Sequence, residues 1–338
     1  MREQFGVLAL GQCGGNIGQE FEKLGFTTVY VNSSQSDLAT IHGAHKIHIP
    51  NADGAARDRK RILQLASEYI IDIVDKITTI LSQKYIICTF SSSGGTGAGL
   101  SVPLMTYLTQ IGRICIPAIV LPDDKIESAK ACENAYNTCV EVMNINRLGA
   151  TFLLDNSRYD KFALNKRFAK ELDAFITLNN DSIYGVIDPA ERKQMLSCSG
   201  ISIITKLSKL KSLATDIVQG LHSGIYAEIT SKTAMYLAIS TNNKSLDTNC
   251  IAREFQGIYD TYLGISDAST IAMISGLQWP TQRIEQFKHK FEQVANTMVG
   301  NTLKPQFAAL QPLSFVREEP QNIRPTNPRD ILLGLLNN

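Results

Sequence analysis

The sequence predicts an α/β fold in which a parallel sheet is covered by helices on both faces. Through the first half of the chain, apolar runs of strand length alternate with longer segments of helical spacing, which is typical of parallel sheets. Two glycine-rich clusters, at residues 11–18 and 92–99, each follow a predicted strand. Because ligands of such sheets bind at the carboxyl ends of the strands, we expect both clusters to lie at a binding site.

The elements of the first half follow one another without long gaps. Strands are expected at residues 5–10, 27–32, 47–50, 85–89, 114–121 and 150–154, and helices at 20–24, 57–83, 100–111 and 125–145. The helix over 57–83 is predicted from apolar residues near helical spacing between Ile62 and Leu81.

A second, smaller α/β unit is predicted in the remainder. We expect a long helix over 165–183, strands at 200–205, 234–240 and 270–274, and a helix over 281–299. Beyond Pro305 the chain is proline-rich and irregular, and it ends in an apolar segment at 331–336. The predicted division is a sheet domain (1–164), a core helix (165–184), a smaller α/β domain (185–278), and a C-terminal helix and tail (279–338).

Composition narrows the classes of function. The 338 residues are 44% hydrophobic, enough to bury the cores of two domains, and the net charge of +1 argues against direct DNA binding. No signal peptide and no run of transmembrane length is found, so a cytoplasmic protein is expected. The seven cysteines are an odd number without a Cys-x-x-Cys pair, which predicts free thiols rather than disulfides or a zinc site.

The second glycine cluster has the properties of an anion cradle. Backbone N–H groups at a glycine-rich turn and the following helix start favour negative charge, and hydroxyls add donors. The cluster is not a Walker A motif because no Gly-Lys-[Ser/Thr] closes it, and a simple turn stays an alternative. The candidate residues are Ser92, Ser93, Gly94, Gly95, Thr96 and Gly97.

The first glycine cluster repeats the pattern of strand, glycine turn and helix. Its spacing is not Gly-x-Gly-x-x-Gly, so a dinucleotide fingerprint fits poorly. Two such loops in one α/β domain predict a nucleoside triphosphate held between two helix N-termini. The candidate residues here are Gly11, Gln12, Cys13, Gly14 and Asn16.

Together the two clusters resemble the nucleotide loops of the tubulin/FtsZ superfamily. Residues 11–18 are similar to its first loop, with a tubulin-like Gly-Gln-Cys-Gly opening. Residues 92–99 are similar to its signature Gly-Gly-Gly-Thr-Gly-[Ser/Thr]-Gly, with Ser93 at the first glycine and Ala98 at the variable position. The resemblance extends to about residue 200 and implies a GTP-binding domain, a core helix and an activation domain with the boundaries given above.

The resemblance also implies which residues recognise guanine. An Asn of the first loop and an Asn after the sixth strand hydrogen-bond the base in this family, which assigns Asn16 and Asn156. A core-helix segment resembles the one whose aromatic residue stacks on the base, which assigns Phe175, with Asn179 and Asn180 facing the base edge. Without the resemblance, Phe175 is more simply explained by ordinary core packing.

Three further loops complete the nucleotide site that the resemblance implies. Gly54, Ala55 and Ala56 match the loop that contacts the γ-phosphate, although a plain turn is an equal alternative. Glu127 matches the ribose-binding loop, in which Asp124 is equally a candidate helix cap. The loop at 32–35 lacks the expected carboxylate and Asp37 comes three residues late, so we expect Mg²⁺ to be held mainly by phosphates and water, without direct protein ligands.

Two acidic residues are the candidates for hydrolysis. Asp188 and Glu191 occupy the acidic positions of a segment that resembles the superfamily's synergy loop, which reaches the nucleotide of a neighbouring subunit. Val186 stands where an Asn is usual. Asp188, Pro189 and Glu191 also fit a capping box, and we favour both roles together.

The resemblance therefore predicts a GTPase that binds GTP and GDP and polymerises head to tail into dynamic filaments. The mixture of tubulin-like and FtsZ-like features is most similar to the TubZ-type tubulins of plasmids and phages, which implies DNA segregation through a DNA-bound adaptor that engages the C-terminal tail. An FtsZ-like cell-division GTPase is the alternative, and a Rossmann-type oxidoreductase is a remote one.

Overall fold

A computed structural model of the chain describes residues 1–178, 185–207, 212–222, 224–255, 257–266 and 269–299, with the backbone alone at 250, 252, 298 and 299. No helix within these residues is long and apolar enough to cross a membrane. The strands are Phe5–Leu10 (β1), Thr27–Asn32 (β2), His45–His48 (β3), Tyr85–Ser91 (β4), Ile114–Leu121 (β5), Ala150–Asp155 (β6), Gly200–Leu207 (β7), Thr233–Thr241 (β8), Gly257–Ile265 (β9) and Thr270–Leu277 (β10).

Helices connect most of these strands. They are Gly11–Glu22 (α1), Gln35–Ala39 (α2), Arg59–Glu68 (α3), Ile70–Ile80 (α4), Thr96–Gln110 (α5), Ala129–Met143 (α6), Lys161–Ile176 (α7), Pro189–Ser197 (α8), Ala214–His222 (α9), Thr248–Glu254 (α10) and Thr281–Val299 (α11), with a 3₁₀ turn at Arg2–Gln4.

The described strands form one sheet in the order β3-β2-β1-β4-β5-β6-β7-β10-β8-β9. All neighbours from β3 to β7 are parallel, whereas β10 runs antiparallel to both β7 and β8. Strand order reverses between β1 and β4, where the chain turns from one half of the sheet to the other. Ligands of open α/β sheets bind at such a switch point, which is where the two glycine clusters lie.

The central strands form the core because helices cover both of their faces. Every residue of β1 and β6 is buried, and in β4 Ile86, Ile87 and Phe90 are fully buried. Such strands read as continuous apolar runs rather than as alternating ones, which is why the sequence predicts them well. Each fully buried large apolar side chain contributes about 1.5–3 kcal/mol.

Several predicted elements differ from the structure. The prediction of a single helix over 57–83 is wrong. Helix α3 ends at Glu68 and α4 begins at Ile70, because Tyr69 leaves the helical conformation with φ −116° and ψ 11°. Both helices bury an apolar face, so the periodicity continues across the break. The first glycine cluster is not a turn ahead of a helix, since α1 already begins at Gly11.

The core helix is also displaced. It was expected over 165–183, but α7 begins at Lys161, where Asp160 Oδ1 accepts hydrogen bonds from the Phe162 and Ala163 N–H groups, and it ends at Ile176. Strand β9 was not predicted, because most of its residues are exposed. By contrast, α11 has the predicted bounds. The domain boundaries stay a prediction.

Helix α7 runs from one edge of the sheet to the other. It begins after the carboxyl end of β6, and its 16 residues, at ~1.5 Å each, span roughly 24 Å. Near its far end, Asp173 accepts hydrogen bonds from Arg2 Nε (2.9 Å) and Nη2 (3.1 Å), and Arg2 precedes the amino end of β1. The end of α7 therefore lies at the amino edge of the parallel strands.

Candidate functional site

A cleft of about 240 Å³ lies at the carboxyl edge of the sheet, over the switch point. The loops after β1, β2, β3 and β4 enclose it, so four segments that are distant in sequence meet there. Its lining residues are Leu10, Gly11, Gln12, Cys13, Asn32, Ser33, Ser34, Asp37, Gly54, Ala55, Ser91, Gly94, Gly95, Thr96 and Gly97. Nine of the predicted nucleotide-binding residues are thus brought together.

Two helices begin at this cleft. Helix α1 starts at Gly11, whose φ of 68° suits glycine, and α5 starts at Thr96 after Gly95. The first N–H groups of a helix have no partner within the helix and carry the positive end of its dipole. The cleft therefore attracts an anion from two sides, as the sequence predicts.

Besides Asn16, three predicted residues of the glycine loops lie outside the lining. A Cβ on Gly14 would approach Thr89 O to 2.2 Å, so this glycine allows α1 to pack against β4. Ser92 is buried and donates from Oγ to Val120 O at 3.0 Å, which fixes the loop to β5. Ser93 Oγ is 2.9 Å from Ser91 Oγ. Their contacts hold the loops rather than face the cleft.

The third loop closes one side of the cleft in a strained conformation. Gly54 N donates to Ser33 O at 3.0 Å, and Ala55 lines the cleft. Ala56 and Arg57 have positive φ angles of 45° and 61°, which non-glycine residues rarely adopt. Ala56 is exposed and lies outside the lining.

A buried amide on α6 holds this loop against the α5 loop. Asn134, 2% exposed, donates from Nδ2 to Arg57 O (2.9 Å) and Gly94 O (3.1 Å). Sequence reasoning missed Asn134. Its signal is a single amide on the apolar face of a helix.

The second loop brings a carboxylate to the cleft after all. Ser34 caps α2 by accepting a hydrogen bond from Asp37 N at 3.1 Å, and this short helical turn carries Asp37 back to the lining. Asn32 Nδ2 donates to Asp37 Oδ2 at 3.3 Å. In the described residues, no group of three His, Cys, Asp or Glu side chains forms a metal-binding cluster.

The loop after β5 is tied to two other segments. Glu127 Oε2 accepts a hydrogen bond from Arg57 Nη2 at 2.8 Å, and Asp124 pairs with Arg283 of α11. Asp124 is not the cap of α6; Ser128 fills that role by accepting from Ala131 N at 3.2 Å.

The turn after β6 and the start of α7 provide groups suited to a base. Asn156 Oδ1 is buried and has no hydrogen-bond partner among the described residues. Phe162, in the first turn of α7, is 62% exposed. Burial raises the pKa of the Cys13 thiol to about 12, and the positive charge of Lys161 opposes part of that rise. Asn16 lies on α1, half-buried.

Phe175 lies away from these groups. It is 1% exposed, packs in the main core, and is close to the end of α7, at the edge of the sheet opposite the cleft. This is the core packing that the sequence alone favoured, and the structure does not bring Phe175 to the cleft. Asn179 and Asn180 lie outside the described residues.

The two acidic candidates form the start of α8. Asp188 Oδ1 accepts from Ala190 N (2.6 Å) and Glu191 N (2.8 Å), and Glu191 Oε2 accepts from Asp188 N (2.8 Å), which completes a capping box. Asp188 is exposed and Glu191 is half-buried.

The buried Arg192 attaches this turn to the end of α7. Its Nη1 donates to Ile176 O at 2.8 Å and to Leu178 O at 3.0 Å. Burial lowers the pKa of Arg192, and the charge of Asp188 offsets part of that shift. The acidic turn is therefore fixed at the amino edge of the sheet, on the side of the molecule opposite the cleft.

Comparison with known proteins identifies the fold. No protein-family model matches the chain. The tubulin-like protein TubZ of a Clostridium botulinum C phage is 23% identical over 343 residues, covering 98% of this chain and 95% of that protein. The crystal structure of Clostridium botulinum phage c-st TubZ has a TM-score of 0.79 at 22% identity and covers 88% of this chain and 100% of that one. The chain has the tubulin/TubZ fold.

A further tubulin-like structure is similar over most of its length. A GTPγS-form protofilament of Bacillus thuringiensis serovar israelensis TubZ has a TM-score of 0.73 at 16% identity and covers 88% of this chain and 92% of that one. The fold that the glycine loops implied is thus confirmed over most of the chain.

Sequence reasoning missed one residue that lines the cleft, Asp37, and two that lie outside its lining, Asn134 and Phe162. Asp37 was judged too late in its loop, although the Ser34 cap indicates a helical turn there. Asn134 and Phe162 were not considered. The signal that would have found Phe162 is its position in the first turn of α7, the helix that follows β6.

Proposed function

We propose that this chain is a GTP-binding and GTP-hydrolysing protein that assembles head to tail into filaments. One observation carries the proposal: the anion-attracting cleft and the acidic turn lie at opposite edges of the same sheet. Neither half suffices by itself, because the cleft has no acidic turn beside it. Stacking one subunit on the next along α7 brings Asp188 and Glu191 of one to the cleft of the other, and such a heterologous contact that does not close produces a filament.

The phosphates fit the start of α1 and α5. Gly11, Gln12 and Cys13 offer N–H groups on one side and Gly95, Thr96 and Gly97 on the other, while Ala55 and Gly54 border the γ-phosphate position. A cleft flanked by two dipole ends and closed by a third loop suits a triphosphate better than a monophosphate.

The guanine base fits the region between α1 and the start of α7. The unpaired Asn156 Oδ1 can accept a hydrogen bond from a base amino group, and Asn16 offers a second amide. Phe162 takes the stacking role in this proposal, because its ring is exposed in the first turn of α7, shortly after Asn156, whereas Phe175 is in the core. Glu127 would accept hydrogen bonds from the ribose once it is released from Arg57.

The residues of the cleft also fit a magnesium ion that accompanies the triphosphate. Asp37, Ser33 and Thr96 supply one carboxylate and two hydroxyls, which is the sparse oxygen set that leaves most ligand positions to phosphates and water. The ion would neutralise phosphate charge.

Hydrolysis would depend on the neighbour's acidic turn. The capping box uses Asp188 Oδ1 and Glu191 Oε2 and orients both carboxylates along one helix start. Glu191 would position or deprotonate the attacking water, and Asp188 would hold the turn in place. Because the acid and the nucleotide belong to different subunits, hydrolysis would follow assembly.

The cellular role proposed is segregation of plasmid or phage DNA, which the similarity to a phage TubZ supports. A DNA-bound adaptor would engage the C-terminal tail, whose residues lie outside the described ones. An FtsZ-like role in cell division is the second candidate, and the FtsZ-like core-helix segment that begins at Leu172 favours it.

Electron microscopy and nucleotide competition test the proposal. Filaments are expected with GTP or GTPγS and should disassemble as GTP is converted to GDP. A competition titration should show GTP binding far more tightly than ATP, because amides that hydrogen-bond one base edge discriminate strongly against a base with a different edge. Equal affinity for both nucleotides, together with no GTP-dependent polymer, would overturn it.

A further inference from the structure

Arg283 of α11 joins two loops that are remote from it in sequence. Its Nε and Nη2 donate to Asp155 Oδ2 (2.7 Å) and Oδ1 (3.1 Å), a two-pronged contact at the end of β6. Nη1 donates to Asp124 Oδ1, and Nη2 also donates to Pro122 O at 3.0 Å. One guanidinium therefore holds the ends of β5 and β6 together.

The network is largely closed to water. The side chains of Arg283, Asp155 and Asp124 are 10%, 2% and 25% exposed. Breaking a buried pair by removing one partner leaves an uncompensated charge and is strongly unfavourable. Lysine cannot replace the arginine geometrically, because a compact ammonium does not match two carboxylate oxygens and a second carboxylate at once.

Each carboxylate organises a loop of the proposed nucleoside site. Asp155 Oδ1 also accepts from Ser157 N (2.9 Å) and Ser157 Oγ (2.7 Å), which shapes the turn that contains Asn156. Asp124 lies in the turn that carries Glu127, and Glu127 N donates to Asp123 O at 2.9 Å. The base-side and ribose-side groups are thus held at a fixed separation.

The arginine itself is held rigidly by α11. Its guanidinium carbon lies 4.6 Å from the centre of the Phe287 ring, and Phe287 and Ile284 are buried in the main hydrophobic core. Farther along, Phe291 of α11 contacts Tyr136 of α6 with ring centres 6.1 Å apart. A displacement of α11 would therefore be transmitted to both loops.

We propose that Arg283 is a positioning residue that sets the nucleoside half of the cleft and couples α11 to nucleotide binding. The proposal rests on the GTP-binding function proposed above. In the proposed site the two loops contact the base and the ribose rather than the phosphates. Loss of Arg283 should therefore lower the affinities for GDP and GTP by the same factor. By linkage, bound nucleotide should in turn stabilise α11.

The test compares Arg283→Lys with Lys288→Met in the full chain, by titrating fluorescent GDP and GTPγS. Lys288 is on the same helix and lies 5.8 Å from the Tyr136 ring centre, so its loss leaves the two loops untouched. Arg283→Lys should raise both dissociation constants by about tenfold or more, whereas Lys288→Met should leave them unchanged. Hydrogen exchange adds a second readout: GDP should slow exchange of the α11 amides in the wild type and not in Arg283→Lys.

Asp124→Asn is the second variant, for the case that Arg283→Lys does not fold. Asp124 is the most exposed member of the network, so its substitution should be tolerated best. Asp124→Asn should lower the affinities for both nucleotides equally, though less than Arg283→Lys does. Unchanged affinity in a folded Arg283→Lys, or in Asp124→Asn, overturns the proposal. A wild-type chain that binds neither nucleotide overturns the proposed function instead, so the two failures are distinguishable.

Discussion

Arg57 and Glu127 join the third loop to the loop after β5, with Arg57 Nη2 donating to Glu127 Oε2 at 2.8 Å. Arg57 also donates from Nη1 to Ser128 Oγ at 2.6 Å. The partners are 41% and 35% exposed, so the pair contributes at most about 1 kcal/mol to stability. Such a weak contact next to the proposed γ-phosphate position is easily exchanged for a phosphate.

Arg57→Gln should therefore reduce affinity for GTP more than for GDP. Loss of a charge-assisted hydrogen bond to the γ-phosphate, about 1.5 kcal/mol, corresponds to about a tenfold weaker GTP affinity. GDP affinity should change less than twofold, and Arg61→Gln on the exposed side of α3 serves as the control. Equal losses for the two nucleotides in a titration would show that Arg57 does not sense the γ-phosphate.

Ala56→Gly should stabilise the protein slightly. The left-handed conformation costs a non-glycine residue about 1–2 kcal/mol, and the additional chain entropy of glycine offsets about 0.4–1 kcal/mol of the gain. The matched substitution Ala174→Gly, within α7, should lower the free energy of unfolding by about 0.5–1 kcal/mol. Urea unfolding measures both, and destabilisation by Ala56→Gly would mean that the loop is not strained at this residue.

Phe162 and Phe175 offer a paired test of the base site. Phe162→Ala removes an exposed ring, so stability should change by less than about 0.5 kcal/mol, while GTP affinity should fall by about 1–3 kcal/mol, the value of a stacked base. Phe175→Ala should instead lower the free energy of unfolding by about 3–5 kcal/mol, because the ring is fully buried. If Phe162→Ala binds GTP normally, the base does not stack there.

The case of Phe175 shows what the sequence can and cannot determine. The glycine loops were found because their chemistry is local: strand, turn and helix start are consecutive in the chain. Phe175 was assigned because its segment resembles one whose aromatic residue stacks on the base. Such a local resemblance does not reveal which end of the helix faces the cleft. The capping of α7 by Asp160, which moves the helix start to Lys161, decides that question.

The sequence also did not reveal contacts between segments that are distant in the chain. Arg283 meets Asp155 and Asp124 across 128 and 159 residues, and Asn134 meets Arg57 across 77. The amide of Asn134 on the apolar face of α6 does not reveal which residues it contacts, and the local pattern of α11 does not distinguish Arg283 from a solvated residue. The exposed strand β9 was missed for a related reason, since it pairs with β8 at the edge of the sheet and has little apolar alternation.

The Asp124–Arg283 pair should make stability depend on pH. Burial by itself raises the pKa of Asp124, but the hydrogen bond and charge of Arg283 outweigh it, so the folded pKa lies below the ordinary value of 3.8. The pair therefore stabilises the fold above pH 3.8, and this contribution is lost as pH falls through the folded pKa. Unfolding at pH 6, 4 and 3 should show the difference between wild type and Asp124→Asn shrinking with acidity. A constant difference would contradict the assigned shift.

Two inactive variants should complement each other if each active centre is built from two subunits. Glu191→Ala keeps its own cleft but offers no acid to its neighbour. A Cβ on Gly94 meets no atom within 4 Å, so Gly94→Asp should fold while its carboxylate repels the phosphates. Each variant alone should lose GTPase activity by on the order of a hundredfold or more. An equal mixture should regain activity, because the intact cleft of one variant meets the intact acidic turn of the other.

The control is Gly94→Asn, which is neutral and of equal size and should retain more nucleotide binding than Gly94→Asp. A mixture no more active than the sum of its parts, with both variants folded, would mean that the acids of α8 serve only to cap the helix.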